Sequence, residues 1–259
     1  MKKYFMISLM ALVVMTMTSC MHVKVGGKDF LTLGKNGGND TPTQVHQVGQ
    51  LTSMNVFDNV NVAGPFNVFY EQGDAFTVLV KGTVEQLEKM TIYVKDDGLY
   101  IDRRENKWSG NDFKGLQVFV TAPSIKGLAV AGSGTITAPE ALTLENLGLE
   151  VAGSGSIILA QLTCADLKNE IAGSGKLTLG IVQAASIRNE IAGSGDIDVA
   201  GLKCTEVNNE IAGSGNIVLN NVNVKNVHSE IAGSGNTTVR GDVENHSEDI
   251  AGSGKVHIN

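Results

Sequence analysis

Aromatic surface is scarce in this 259-residue chain, which has one Trp and four Tyr. Carbohydrate-processing pockets rely on aromatic walls, so the shortage counts against a sugar-active enzyme. Cysteine is equally rare, with three residues, and neither Cys164 nor Cys204 belongs to a Cys-x-x-Cys pair of the kind that holds structural zinc. Basic charge is also short. Lys and Arg total 20 against 27 acidic residues, a net charge of −7, and no basic cluster tracks along any element. Nucleic-acid binding needs the opposite sign. No apolar run of membrane-spanning length occurs.

What the chain does have begins at its N-terminus. Lys2 and Lys3 precede an apolar run from Phe5 to Val14, too short for a mature transmembrane helix but right for an export signal. The run leads into Met17-Thr18-Ser19-Cys20, which resembles a lipobox cut before the cysteine. Residues 1–19 therefore read as a lipoprotein signal peptide, and Cys20 as the site of lipidation. An ordinary secretory cleavage site is the plainer alternative. Several acyl chains on one residue hold a protein to a membrane firmly, so the expected address is the outer membrane. Met21, His22, Val23 and Lys24 follow, where surface-exported lipoproteins of some Gram-negative groups carry acids, so both membrane faces stay open. Residues 20–50, with Gly26-Gly27 and Gly37-Gly38, read as a flexible tether.

The second half repeats. Ala-Gly-Ser-Gly starts at residues 131, 152, 172, 192, 212, 232 and 251, a period of 19 to 21 residues. Such a period marks stacked coils. Leu142, Leu162, Val182, Leu202 and Val222 form one apolar column, Leu147, Leu167, Ile187, Val207 and Val227 a second, and Val151, Ile171, Ile191, Ile211 and Ile231 a third. Within a coil, as in Leu167-Lys168-Asn169-Glu170-Ile171, apolar and polar residues alternate, the mark of strands with one buried face. The alternation slips between Cys164 and Leu167 and between Leu179 and Val182. With the Gly-Ser-Gly corner, this predicts three short strands per coil of a single-stranded, right-handed parallel β-helix, all-β, over residues 131–259. Residues 51–130 predict irregular first coils and an N-terminal cap. They contain a capping box at Thr83–Gln86 and a hairpin across Ile92–Ile101 turning at Asp97-Gly98.

Several apparent motifs dissolve into this architecture. Gly-Ser-Gly suits sharp stacked corners with no room for a Cβ. It does not complete a nucleophile elbow, because Ala152 and Ser156 stand where glycines are needed around Ser154. Cys164 and Cys204 share a column two coils apart, roughly 9.5 Å, beyond disulfide reach. Asn169, Asn189, Asn209 and Ser229 predict an inward hydrogen-bonded ladder. The outward column Glu150, Glu170, Glu190, Glu210 and Glu230 is the candidate surface stripe, with Lys168 and Arg188 placed to neutralise part of it. Two readings apply to it: a solvated acidic stripe, or a contact for Ca2+ or carbohydrate. The chain closes five residues after the last Gly-Ser-Gly, which raises self-association or a protein partner at that end as an expectation.

The lipobox, the tether, the strand Gly64-Pro65-Phe66-Asn67-Val68, the hairpin from Asp96 to Ile101 and the Gly-Ser-Gly coils together resemble the bacterial head GIN domain family, over about residues 51–259. The resemblance implies a β-helical, adhesin-like protein of the cell envelope, with no catalytic residues to carry over. Two function classes follow. One is a lipid-anchored interaction protein that is not an enzyme, binds no cofactor, and meets a glycan or an envelope protein. The other is a pectin-lyase-like enzyme, which requires acidic groups gathered in a groove.

Overall fold

A computed structural model describes residues 56–104 and 111–259, together with the backbone pairing of Cys20–Val25, Lys28–Gly34 and Val45–His46. The export signal and the loop around Trp108 lie outside the described residues. Cys20–Val25 pairs antiparallel with Lys28–Gly34, and Val45–His46 pairs with Val80–Lys81.

The chain winds as a β-solenoid of about seven turns with coils of about 20 residues. Parallel ladders join each coil to the next, so that Leu167 pairs with Ile187, Ile187 with Val207, and Val207 with Val227. One coil shows why the periodicity slips. Lys176–Leu179 runs straight, the ladder skips Gly180, and Ile181–Gln183 resumes it before Ala184-Ala185 bends the chain into Ser186–Gly193. Three straight stretches and three bends per coil match the sequence pattern. The apolar columns fill the interior, with Leu142, Leu162, Val182, Leu202 and Val222 all at 3% exposure or less. Burying such columns on a two-residue period is the main stabilising contribution.

The Gly-Ser-Gly corner is set by contact between backbones. Gly193 has φ 133°, and a Cβ there would lie 2.4 Å from the carbonyl oxygen of Gly173 one coil earlier. Few residues but glycine adopt that conformation. Between the glycines, the backbone N–H of Ser194 donates to the Gly173 carbonyl at 2.8 Å, while the side chain stays exposed. The column continues into the cap through Gly64, whose N–H donates to the Ala131 carbonyl.

The cap is wound out of chain order. Gly98–Arg103 lies against Asn59–Ala63, which lies against Gly127–Gly132, and Gln117–Ala122 stacks in the same way beneath Asn67–Gln72. Two antiparallel strands, Thr77–Lys81 and Met90–Lys95, close the stack. They cover the edge that a parallel coil would leave open. The helix Val84–Glu88 starts at the Thr83 capping box as expected. The hairpin turns one residue earlier than the sequence suggested. Lys95 pairs with Gly98 across a two-residue turn in which Asp96 and Asp97 both have positive φ. A primed turn demands that geometry at both central residues, and aspartate tolerates it. Aromatic rings fill the cap: Phe57, Phe66 and Tyr70 are fully buried, and Phe66 meets Phe113 edge-on at 4.8 Å.

Inside the coils the polar ladder forms as predicted. Asn169 Nδ2 donates to Asn189 Oδ1 at 2.7 Å, Asn189 Nδ2 to Asn209 Oδ1 at 2.8 Å, and Asn209 Nδ2 to Ser229 Oγ at 3.2 Å. The same column is Leu128 and Leu149 before Asn169. The first amide thus has only an apolar neighbour behind it, and Asn169 Oδ1 is left without a partner. Cys164 and Cys204 are buried and free. Burial pushes the Cys164 thiol up to about 11, so it stays protonated and packs as a small apolar group.

Candidate interaction face

Each Asp166–Gly173-type strand points alternate side chains outward, and the parallel register stacks those ahead of its outward alanine into three columns. The first runs Asp166, Ser186, Glu206, Asn226 and Asn245, and the second Lys168, Arg188, Asn208, His228 and Ser247. The third is the glutamate column, Glu150, Glu170, Glu190, Glu210 and Glu230, continued by Asp249. All five glutamates predicted for the stripe therefore lie on one face.

Charge is unevenly satisfied along that face. Lys168 Nζ sits 2.9 Å from Glu170 Oε1 and 4.0 Å from Glu190 Oε1. Arg188 bonds Glu190 through Nε and reaches Glu210 Oε2 at 3.2 Å. The Arg188 hydrogen bond holds the Glu190 carboxyl below the usual carboxylate range, and the Glu170 hydrogen bond raises the Lys168 ammonium. Beyond Arg188 the cations stop. Asn208 turns to Glu206 at 3.1 Å, and His228 Nδ1 meets Ser247 Oγ at 2.9 Å. Glu150, Glu230 and Asp249 have no ion pair among the described residues.

Sequence reasoning missed where this face begins. Register carries the glutamate column back through Ala129 and Asn61 to Tyr100. Tyr100 stacks on Tyr93 with ring centroids 5.0 Å apart. The Tyr93–Tyr100 pairing follows from the hairpin turning at Asp96-Asp97 instead of Asp97-Gly98, and its place beneath Asn61 depends on the out-of-order winding, which leaves no periodic signal. At the last coil, the inward columns change character: His246 follows Val227 and Glu248 follows Ser229.

Among the described residues, no three His, Cys, Asp or Glu side chains are grouped as a metal site. No helix among them is long and apolar enough to cross a membrane. The carboxyl with a displaced proton affinity, Glu190, is shifted downward by a cation, the opposite of what a general acid needs.

The family comparison decides the kinship. A family described as "Putative auto-transporter adhesin, head GIN domain" matches residues 56–220 and again 181–259. The chain belongs to the head GIN domain family. The overlap of the two matches follows from the repeat, since a shift by whole coils restores the pattern. Among solved structures, a "putative adhesin" from Bacteroides fragilis NCTC 9343 is similar at TM-score 0.74 and 23% identity, covering 84% of this chain and 96% of that one. A "putative lipid binding protein" from Parabacteroides distasonis ATCC 8503 is similar at TM-score 0.65 and 19% identity, covering 84% and 97%. A "putative adhesin" from Parabacteroides merdae ATCC 43184 gives 0.63 and 19%, covering 84% and 95%. At these identities the likeness is one of fold. No curated protein matches the sequence.

Proposed function

We propose that this head GIN domain protein is a non-catalytic, adhesin-like interaction protein of the cell envelope, held to the outer membrane through lipid on Cys20. Its contact surface is the three-column face, and its partner is a glycan or an envelope protein. One observation carries the reading: the columns keep the same register over successive coils and Lys168 and Arg188 neutralise the middle of the glutamate column, yet Glu150 at one end and Glu230 and Asp249 at the other have no ion pair among the described residues. A long face stacked in register can run alongside a polymer, whereas a polysaccharide-cleaving enzyme needs catalytic acids gathered in one groove.

The anchor is tested by labelling cells that express the full chain with radioactive palmitate. Incorporation lost in Cys20→Ala supports the anchor, and unlabelled wild type overturns it. Glycan-array binding by the full chain, without depolymerisation of acidic polysaccharides, supports the interaction role. Turnover of any polysaccharide overturns it.

A further inference from the structure

The charge pattern on the three-column face leaves one structural consequence. Lys168 and Arg188 are long side chains, and their successors in the same column, Asn208, His228 and Ser247, are short. Where the change occurs, a shallow groove of about 200 Å³ opens between two columns, Glu206–Asn226–Asn245 and Asn208–His228–Ser247. Val207 and Val227 form part of its lining but are themselves buried, at 0% and 2% exposure. The exposed His246 completes the lining, so the accessible wall is polar and includes two imidazole rings, His228 and His246.

The hydrogen bonds within the groove pair its walls and leave a mixed remainder. Asn208 Nδ2 donates to Glu206 Oε1, Asn245 Nδ2 donates to Asn226 Oδ1 at 3.1 Å, and His228 Nδ1 pairs with Ser247 Oγ. Unspent among the described residues are one Glu206 oxygen, the Asn226 amide N–H groups, the Asn208 and Asn245 carbonyls, and His228 Nε2. Acceptors and donors thus alternate over three coils spaced about 4.8 Å apart. A cation would find one carboxylate and two imidazoles that are not grouped as a metal site among the described residues, and an anion would meet that carboxylate with Glu210 and Glu230 beside it. An apolar ligand would find nothing to bury against. A sugar hydroxyl both donates and accepts, so vicinal hydroxyls can replace water at every one of these groups.

We propose that this groove is a binding site for a neutral sugar unit of a glycan chain. The proposal rests on the adhesin-like reading above and names the ligand class of that face. With no Phe, Tyr or Trp in the wall to stack on, binding of one sugar unit is weak.

The test uses the full-length protein and side-chain amide NMR of Asn208, Asn226 and Asn245. The added ligands are cellohexaose, maltohexaose and mannohexaose at millimolar concentration, with hexagalacturonate as the charged counterpart. At least one neutral hexasaccharide should shift all three amides, and hexagalacturonate should not. Asn226 is exposed and His228 half-buried, both with side chains on the outer face, and Asn226→Ala and His228→Ala should each weaken binding about 5-fold, the equivalent of one hydrogen bond, with thermal unfolding confirming that both variants fold. Thr178→Ala, on a different face, should bind like wild type. Silence of these amides toward every neutral hexasaccharide, or unchanged affinity in both groove variants, overturns the proposal. Glycan binding that survives both variants removes only the groove. A protein that binds no glycan or envelope partner at all removes the adhesin-like reading beneath it.

Discussion

The cap and the regular coils solve the same packing problem with different residues. Every Phe, Tyr and Trp of the chain precedes residue 120, so the coils from Ala131 onward contain no aromatic side chain. Their interior is Leu, Ile and Val stacked on themselves, with an amide ladder on one column. In the cap, Phe57, Phe66, Tyr70 and Phe113 fill unique spaces, and antiparallel strands end the stack. The difference shows what repetition demands. A residue in a coil must fit against its own copy about 4.8 Å away, which suits branched aliphatics, amides and glycine. A residue in a cap has no copy and can be large.

The sharpest break in that comparison is a methyl group at a corner. Gly193→Ala places a Cβ 2.4 Å from a backbone carbonyl that neighbouring coils hold in place, on a residue with φ 133°. The loss should exceed about 4 kcal/mol by urea denaturation, since strain and overlap add. At the cap's equivalent corner, Gly64 has φ 135°, but its nearest atoms belong to the side chains of Phe66 and Arg103, at 3.0 and 3.3 Å. Gly64→Ala should cost about 2 kcal/mol, the backbone strain alone. Equal losses at the two sites would show that coil stacking adds nothing to the glycine requirement.

A smaller effect separates the interior of the ladder from its end. Asn189→Leu removes the acceptor of Asn169 and the donor to Asn209, stranding two buried polar groups. It should cost about 3 kcal/mol. Asn169→Leu extends the Leu128–Leu149 column by one rung and only moves the unpaired oxygen from Asn169 to Asn189. That substitution should stay within about 1 kcal/mol of wild type in thermal unfolding. A similar loss for both would mean that the ladder acts as one unit with no free end.

These contrasts explain what could be read from the sequence. The coils, their buried columns, the Asn169–Ser229 ladder and the shared face of the glutamates all follow from a period near 20, because equivalent residues must stack. The order of the cap strands does not repeat, so Gly98–Arg103 beneath Asn59–Ala63 was invisible, and with it the position of Tyr100. The groove was equally hidden. It arises where Lys168 and Arg188 give way to Asn208 and His228, a change visible in the column but without a volume until side chains are placed.

The smallest effect concerns the paired middle of the glutamate column and its unpaired far end. Arg188 lowers the Glu190 proton affinity in the folded state, so the stabilisation from that carboxylate is present above the ordinary glutamate range. It disappears as pH falls through the lowered value. Lys168 is raised by its Glu170 hydrogen bond, so its contribution is present below the ordinary lysine range and fades as pH climbs through the raised value. Arg188→Gln should return the Glu190 carboxyl 13C titration upward toward an ordinary midpoint. Because the Arg188 side chain is 55% exposed and its ion pair is screened by solvent, stability at neutral pH should hardly change. A Glu190 midpoint unmoved by Arg188→Gln would mean that the near half of the face is not neutralised by its own cations, and the contrast with the half around Glu230 would vanish.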